Sequence, residues 1–299
     1  MSVISVSHLT KRYGPVLAVD DLSFDVHPGK VTGFLGPNGA GKTTTLRILL
    51  GLAAPTSGSA TIGGLEYRLL ADPVRQVGAV LDSSTFHPSR SAAQHLKVIA
   101  TATGVPFRRV GEVLDLVGLA DAAGRRVGGY SLGMRQRLSL AGALLGDPGV
   151  LVLDEPLNGL DPEGIRWMRG LLRSFAAEGR AVLVSSHLLT EVAQTVDDVV
   201  VLAKGRAIAE TTLAELAERS SVTRARTTDA TLLANVLLAA GIQVRLIDGS
   251  TVEARSTSAD TVGLAAAAAN IPILELSRHD EDLESLFFDL INDRQEVTA

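Results

Sequence analysis

The sequence has no cysteine, few aromatic residues and no long apolar run, and each absence narrows the range of functions. Without cysteine, disulfides, thiolate metal sites and cysteine nucleophiles are excluded. Aromatic residues make up 4% of the chain and hydrophobic residues 46%, so we expect a mostly aliphatic core. A net charge of −5 argues against the broad basic surface with which many proteins bind nucleic acid.

The apolar segments give no sign of secretion or of membrane insertion. Residues 1–6 lack the basic region and apolar core of a secretory signal. No run of about 18 uninterrupted apolar residues occurs, and the nearest candidate, 138–153, contains Gly142 and the turn 146–149. We therefore expect a chain that does not itself span a membrane. Its 299 residues can form one large domain with a smaller one appended.

A glycine-rich stretch at 36–44 fits the pattern G-x-x-x-x-G-K-[ST], and its flanks supply the context that this pattern requires. The apolar run 31–35 before it is typical of a strand, and 45–50 after it has helix-forming composition. A strand that leads through such a loop into a helix binds phosphate, because backbone N–H groups and the helix N-terminus converge on the anion. The alternative, a glycine-rich turn that only starts a helix, is disfavoured by these flanks.

The loop therefore predicts a nucleotide site. Lys42 would reach the β- and γ-phosphates as a point charge, and the hydroxyl of Thr43 would bind Mg²⁺. The residues predicted to bind the nucleotide here are Gly36, Pro37, Asn38, Gly39, Ala40, Gly41, Lys42, Thr43 and Thr44.

Alternating strand-like and helix-like segments predict an α/β domain with a mostly parallel sheet, whose active groups lie at the carboxyl ends of the strands. Strands are expected at 2–8, 16–19, 22–26, 31–35, 58–65, 75–81, 150–153, 181–184 and 199–202, with a turn at 11–14. Helices are expected at about 91–104, 108–117, 131–145, 162–178 and 188–196.

The composition changes after about residue 220, where the order of elements becomes β-α-β-β-α-β, the ferredoxin-like pattern. Its strands are expected near 222–226, 242–247, 251–255 and 271–276, and its helices at 229–240 and 259–269. A terminal amphipathic helix is expected at 280–291, with Leu283, Leu286, Phe287 and Leu290 on one face. We therefore expect two domains, at 1–219 and 220–299.

An adjacent acid pair follows the apolar run 150–153. Asp154 is placed to hold Mg²⁺, and Glu155 is placed to act as the catalytic general base that polarises the attacking water. Such a pair could instead be only a cluster of helix N-caps. Its combination with a phosphate loop upstream favours the catalytic interpretation.

The stretch 130–137, Y-S-L-G-M-R-Q-R, narrows the class further. It resembles the L-S-G-G-Q signature of ATP-binding cassette (ABC) proteins, with Leu132 and Met134 in place of the first Gly and the Gln. The other motifs of that family follow in order over residues 2–215: an aromatic residue near the start, the phosphate loop, the signature, the acid pair, a D-loop at 158–161 and a switch histidine at 187.

The resemblance implies a P-loop NTPase cassette with a mostly parallel sheet, an antiparallel β subdomain and a helical subdomain at about 83–148. The domain at 220–299 would be a small α+β ferredoxin-like addition. ATP and Mg²⁺ would be the cofactors. Two cassettes of this family sandwich two ATP molecules head to tail, so each site joins one subunit's phosphate loop to the other subunit's signature.

Roles for single residues follow from the same resemblance. Ser131 and Gly133 would approach the γ-phosphate, with a helix N-terminus behind them. Tyr13 would stack on adenine, although it could be an ordinary turn tyrosine. His187, a catalytic residue in this interpretation, would contact the γ-phosphate and position the water, although a histidine after a buried strand is often structural. Asp161 would cross the dimer interface, and it could also cap the helix that starts at 162.

One departure from the family lies at residue 82. The family normally has a glutamine at the end of the strand near 77–81, where it ligates Mg²⁺ and senses the membrane partner; this chain has Asp82. A carboxylate can still ligate Mg²⁺, but it is shorter and adds negative charge beside the triphosphate. Asp82 has three possible interpretations: a working variant, a slower ATPase or a changed coupling signal. The other catalytic residues are intact, which favours a working variant.

The resemblance implies an ATPase subunit on the cytoplasmic face of the membrane that powers a transporter of drugs, antibiotics or lipids. Its partners would be a separate transmembrane permease and, with ATP bound, a second copy or a paired second cassette. An importer subunit is one alternative. A soluble ABC ATPase acting on ribosomes or nucleic acid is another, but it usually has two cassettes or a long coiled coil. We expect no nucleic acid partner.

A P-loop kinase or GTPase is a third alternative to the transporter subunit. The signature stretch argues against a kinase, and no Asn-Lys-x-Asp guanine-specificity motif follows the acid pair. Export is favoured over import by resemblance. The transported molecule does not follow from the sequence, because a cassette need never touch it.

Overall fold

The computed structural model of the chain describes residues 3–81, 86–219, 221–255 and 257–280. The chain divides into two compact units, Met1–Glu210 and Thr211–Ala299. The sequence had suggested a boundary further along, after residue 219. Of the expected terminal helix at 280–291, only residue 280 is described, as the end of a strand, and the rest lies outside the described residues.

The first unit contains two sheets and the helices around them. Its strands are β1 (Ile4–Tyr13), β2 (Val16–Val26), β3 (Val31–Leu35), β4 (Ser57–Ile62), β5 (Val77–Val80), β6 (Val150–Leu153), β7 (Ala181–Ser186), β8 (Asp198–Ala203) and β9 (Arg206–Thr212), which runs past the division. Its helices are α1 (Lys42–Leu49), α2 (Pro73–Gln76), α3 (Ala92–Thr103), α4 (Arg108–Leu116), α5 (Leu132–Ala143), α6 (Pro162–Ala177) and α7 (Leu189–Val192).

The larger sheet has six strands in the order β5-β6-β7-β3-β8-β9. The strands from β5 to β8 pair in parallel, and every residue of β3, β6 and β7 is buried, as expected for strands covered on both faces. Leu35 pairs with Ser186, and Leu153 pairs with Val80 and Val184. The carboxyl ends of β3, β5, β6 and β7 therefore meet at one edge, and the predicted parallel α/β sheet is confirmed.

A smaller antiparallel sheet has the order β2-β1-β4 and shares one apolar core with the larger sheet, where Phe24 and Phe34 lie 4.9 Å apart between ring centroids. The predicted turn at 11–14 and break between 19 and 22 are wrong. β1 continues to Tyr13, and β2 is one strand with shifts in register. Asp21 lies inside β2 and has a φ of 51°, in the left-handed region. The polar residues between 19 and 22 therefore belong to the strand as a local irregularity, where their composition had predicted a break.

Three helices, α3, α4 and α5, pack on one another and α5 also packs on β5. A reciprocal capping box fixes the start of α3: Ser91 accepts the backbone N–H of Gln94, whose side chain accepts the N–H of Ser91. None of the helices that the structure describes is both long enough and apolar enough to cross a bilayer.

The second unit begins with α8 (Leu213–Arg219) and continues as β10 (Ser221–Thr227), α9 (Ala230–Ala239), β11 (Val244–Asp248), β12 (Thr251–Arg255), α10 (Ala259–Ala268) and β13 (Ile273–Asp280). Its antiparallel sheet has the order β11-β12-β10-β13. Residues of α9 and α10, including Leu233 and Val262, form a core with Val252 and Ala254 of β12. The predicted β-α-β-β-α-β order is confirmed; α8 and β9 were not predicted.

Candidate active site

The glycine-rich loop connects β3 to α1 at the carboxyl edge of the larger sheet, and two of its glycines are required by geometry. Gly36 passes so close to β8 that an added Cβ would lie 2.6 Å from the carbonyl oxygen of Leu202. Gly41 has a φ of 104°, and an added Cβ would lie 2.5 Å from the carbonyl oxygen of Ala18. The loop is therefore held against β2 and β8 while its crest, Pro37 to Gly39, stays exposed.

Lys42 is the first residue of α1, and its side chain is only 6% exposed. Its ammonium group donates to the carbonyl oxygens of Gly36 (2.6 Å) and Pro37 (3.3 Å). It also lies 3.5 Å from Oε1 of Glu155. The buried charge is thus paired and hydrogen-bonded inside the loop, which is the condition under which a lysine can be buried.

Asp154 follows the last residue of β6, and hydroxyl groups hold both of its carboxylate oxygens. Thr43 Oγ1 donates to Oδ2 (2.7 Å), and Ser185 Oγ donates to Oδ1. The backbone N–H of Asp154 donates to the carbonyl oxygen of Val80 (2.8 Å). The strand ends of β5, β6 and β7 therefore fix this carboxylate beside the start of α1.

Glu155 adopts a φ of 49°, which is uncommon for a residue other than glycine and recurs at functional sites. Its N–H donates to Ser185 Oγ (2.9 Å), and its Oε2 lies 2.9 Å from Nδ1 of His187. Since Oε1 faces Lys42, the carboxylate lies between two cationic or potentially cationic groups. This arrangement suits a base that must point in one direction.

A second group of predicted residues lies at the N-termini of α5 and α6. Ser131 caps α5, because its hydroxyl accepts the N–H of Met134 (3.2 Å), and Asp161 caps α6 by accepting the N–H of Gly164 (2.7 Å). Both capping residues and Gly133 line a groove of about 490 Å³, which we call the signature groove. Within this chain, Asp161 therefore acts as the cap of α6, which was one of its two expected roles.

The structure brings together Lys42, Thr43, Asp154, Glu155 and His187 in one cluster through the contacts above. The residues lining the signature groove include none of these, so within one chain the predicted site consists of two parts.

Tyr13 stands apart from these contacts. Its ring is 48% exposed, and the ammonium group of Lys11 lies 4.7 Å from the ring centroid. Asp82 lies outside the described residues, so its role as a metal ligand stays a prediction.

Two polar residues that support the site were not among the predicted ones. Ser185 is fully buried and touches both acids of the pair. Gln136 is buried in α5, and its Nε2 donates to the carbonyl oxygen of Pro156 (3.1 Å). A serine inside an apolar strand and a glutamine inside a helix facing the core are the signals that could have found them, because buried polar groups need partners.

The donors near Thr43 fit a magnesium ion. Mg²⁺ prefers oxygen ligands and usually takes one or two from the protein, with others from water and phosphate. Thr43 and Asp154 supply a hydroxyl and a carboxylate at hydrogen-bond distance from each other. Among the described residues, no cluster of three or more His, Asp or Glu side chains offers an all-protein metal site.

Comparison with known proteins decides the family. The family profile described as ABC transporter matches residues 19–158. The bacitracin transport ATP-binding protein BcrA of Bacillus licheniformis is 41% identical over 222 residues, 73% of this chain and 72% of that protein. The chain belongs to the ATP-binding proteins of ABC transporters. Members of this family hydrolyse ATP to power transport, so the chain is an ATP-binding ATPase.

Two further relatives are export or transport proteins by name. The lantibiotic transport ATP-binding protein SrtF of Streptococcus pyogenes is 37% identical, and the match covers 70% of this chain and 90% of that protein. The Nod factor export ATP-binding protein I of Burkholderia orbicola (strain AU 1054) is 41% identical, covering 69% of this chain and 70% of that protein. A domain of unknown function (DUF8746) matches residues 220–284 of this chain, which follow the cassette.

Solved structures show the same fold. An ATP-binding subunit of an ABC transporter has a TM-score of 0.65 and is 28% identical, covering 72% of this chain and 92% of its own. The ATP-binding cassette MJ0796, in a dimeric post-hydrolysis state bound to ADP and Pi, has a TM-score of 0.63 and is 23% identical, covering 70% of this chain and 98% of its own. The predicted cassette fold is confirmed.

Proposed function

We propose that this cassette is the ATP-hydrolysing subunit of an exporter whose membrane-spanning part is a separate chain. The observation that carries the proposal is the convergence of Lys42, Asp154, Glu155 and His187 at one edge of the sheet. The names of the relatives, which transport bacitracin or a lantibiotic or export Nod factor, support export rather than import. The substrate class that we propose is a drug, an antibiotic or a lipid.

In the proposed mechanism, the loop N–H groups and Lys42 hold the β- and γ-phosphates. Glu155 accepts a proton from a water molecule as the water oxygen attacks the γ-phosphorus. The bond between that phosphorus and the bridging oxygen of ADP breaks, and ADP and phosphate leave. His187, in contact with Glu155, orients the carboxylate and the water. A positioned base of this kind typically contributes about 10²–10⁴-fold to the rate.

We propose that Thr43 and Asp154 hold the Mg²⁺ that accompanies ATP. The ion supplies charge neutralisation for the transferred phosphoryl group. Ser185 keeps the carboxylate of Asp154 oriented, because its hydroxyl donates to one oxygen while Thr43 donates to the other.

We propose that the signature groove receives the γ-phosphate of an ATP molecule bound to a second copy or paired cassette. Two helix N-termini, those of α5 and α6, line it, and each adds partial positive charge. Ser131 uses a lone pair to cap α5, so its O–H proton is available to donate to phosphate. The adenine of the chain's own ATP would stack on the exposed face of Tyr13.

We propose that the membrane partner docks in a second groove, of about 390 Å³, which we call the helical groove. It lies between β5, α3 and α5, and it is lined mainly by apolar residues that include Ala79, Phe86, Ile99 and Ala143. An apolar groove of this shape takes the apolar face of a helix. Docking there would hold the cassette at the cytoplasmic face of the membrane.

A pull-down from detergent-solubilised native membranes tests this function. The tagged cassette should recover a membrane-spanning protein in near-equal amount. Ile99→Lys, which puts a charge into the helical groove, should lose that partner. The matched control is Val98→Lys, because Val98 is the neighbouring residue, is 49% exposed and does not line the groove. Recovery of ribosomes or nucleic acid instead of a membrane protein would contradict the proposal.

A further inference from the structure

Leu132 and Gly159 fit against each other with no space to spare. Leu132 is the first residue of α5, and Gly159 lies in the D-loop. A Cβ added to Gly159 would lie 2.1 Å from Cδ2 and 3.0 Å from Cγ of Leu132. Real side chains do not approach so closely, so an alanine at 159 requires the half-exposed side chain of Leu132 to move from its observed position.

In a second contact between the same two segments, the leucine comes from the D-loop and the glycine from the signature. Leu160, the next residue of the D-loop, lies against Gly133, the next residue of the signature, where an added Cβ would be 3.4 Å from Cδ2 of Leu160. Each segment thus presents a leucine to a glycine of the other. The looser fit at Gly133 makes the contact between Leu132 and Gly159 the tighter of the two.

This packing does not serve to bury Leu132, whose side chain remains 54% exposed. It does bring two helix N-termini next to each other, because Ser131 precedes Leu132 in the sequence and Asp161 follows Leu160. Both capping residues line the signature groove.

Further along α5, two contacts join it to the chain that follows the acid pair. Gln136 donates to the carbonyl oxygen of Pro156 (3.1 Å). The guanidinium of Arg137 lies 4.1 Å from the ring centroid of Trp167. These contacts join α5 to the segment that precedes the D-loop and to α6, which follows it.

We propose that Leu132 and Gly159 are a pair of positioning residues, matched in size, that sets the spacing between the signature and the D-loop. The pair makes one preassembled surface of Ser131, Gly133 and Asp161 for the nucleotide of the opposing cassette. This inference rests on the proposed head-to-tail dimer. A leucine in place of the first signature glycine is therefore a working part of the site, because glycine at 159 accommodates it.

A double-mutant cycle in the full-length chain tests the pair. Gly159→Ala should clash with Leu132 and lower kcat for ATP hydrolysis by on the order of 10- to 100-fold, the effect of small misplacements in a reacting assembly. The affinity for ATP under conditions where the protein is monomeric should be unchanged, because each chain binds ATP with its own phosphate loop. Leu132→Ala in the same chain removes the clashing atoms and should recover most of the lost rate.

Gly179→Ala is the matched control for backbone strain. Gly179 has a φ of 87° and Gly159 a φ of 74°, but nothing lies within 4 Å of a Cβ added at 179. The control should lose a little stability in thermal unfolding and keep its kcat. Circular dichroism on each variant shows whether it is folded, and the double variant provides a test even if Gly159→Ala folds poorly, because rescue restores both.

Three outcomes separate the possibilities. Rescue of kcat in the double variant supports the pair. A Gly159→Ala variant as fast as the Gly179→Ala control, or a double variant at least as slow as Gly159→Ala, overturns it. The proposed dimer is judged separately: if Glu155→Gln stays monomeric with saturating Mg-ATP, the proposed function fails whatever the cycle shows. If that variant dimerises and the cycle shows no rescue, only the inference about Leu132 and Gly159 fails.

Discussion

The two parts of the active site are built differently. In the phosphate-loop part, side chains from the ends of β6 and β7 and from the start of α1 hold one another, and Lys42 is almost fully buried among its partners. In the signature part, Ser131 and Asp161 are exposed, and their contacts within the chain are helix caps. In the proposed function, the first part binds and orients phosphates within one chain, whereas the second acts on the nucleotide of another molecule.

The difference teaches where substitutions should act. Changes in the phosphate-loop part should alter ATP binding or the chemical step in a single chain. Changes in the signature part should leave ATP binding to the single chain intact and act on hydrolysis, because in the proposed head-to-tail dimer that step needs the opposing cassette.

Lys42→Ala should cause the largest loss. It removes the cation that we propose binds the triphosphate, and it takes one partner from the buried carbonyl of Gly36 and one from the carboxylate of Glu155, which keeps its contact with His187. We expect ATP affinity to fall by at least on the order of 100-fold, since a hydrogen-bonded charge pair is worth several kcal/mol when one partner is removed. Equilibrium binding of a fluorescent ATP analogue measures it.

Lys11→Ala is the control for Lys42→Ala, because Lys11 is half-buried outside the phosphate loop and bonds only to the carbonyl oxygen of Ala54 among the described hydrogen bonds. Affinity within twofold of the wild type in the Lys42 variant would contradict the assigned role. The Lys11 variant should bind ATP nearly as well as the wild type, apart from any effect of its contact with Tyr13.

Ser185→Ala should impair both stability and hydrolysis. It takes away the donor to Asp154 Oδ1 and the acceptor of the Glu155 N–H, and it leaves buried polar groups unsatisfied. The expected cost is about 1–3 kcal/mol of unfolding free energy, with a fall in kcat of roughly tenfold from the misdirected acids. Ser174→Ala, which loses only a bond to the carbonyl of Leu171, should keep its kcat.

Arg137→Gln should have a smaller effect confined to the signature part. It removes the cation that lies over Trp167, a contact worth about 0.5–1 kcal/mol at a partly exposed site, and should lower kcat a few-fold with ATP affinity unchanged. Trp167 is the single tryptophan of the chain, so its emission reports the change directly. A shift in ATP affinity equal to the fall in kcat would contradict the division between the two parts.

His95 should give the smallest effect, on the pH dependence of stability. Burial lowers the pKa of His95 below its ordinary value of 6.5, and the positive charge of Arg90 lowers it further. The unfolded chain therefore takes up a proton at a higher pH than the folded chain, so stability is complete above about pH 6.5 and falls as the pH drops below it. In thermal unfolding, His95→Gln should reduce the loss of stability as the pH falls below about 6.5. An unchanged pH dependence would show that His95 is not its source.

The sequence predicted the phosphate-loop part better than the signature part, for a physical reason. Motifs such as 36–44 and the run Val150–Leu153 are local, because neighbouring residues determine a strand, a loop and a helix start together. The contact between Leu132 and Gly159 joins segments distant in the sequence, so no local sequence pattern predicts it. Ser185 is equally hard to predict, because its partners are the two acids that follow the neighbouring strand β6.

Errors of the sequence analysis lie where backbone irregularity overrides residue preference. Asp21 looks like a break between two strands, yet its left-handed conformation keeps β2 continuous. The helix predicted at 188–196 is only Leu189–Val192. The appended ferredoxin-like elements were predicted well, because their alternating and helical periodicities are regular.

The central claim is that two incomplete sites become complete when two cassettes close on ATP. Light scattering of Glu155→Gln at saturating Mg-ATP tests it most directly, with Glu163→Gln, an exposed glutamate in the first turn of α6, as the control. If two cassettes close on ATP, Glu155→Gln should bind ATP, fail to hydrolyse it and accumulate as a dimer, while the control should hydrolyse ATP and remain mostly monomeric. A Glu155→Gln protein that binds ATP and stays monomeric would contradict this closure.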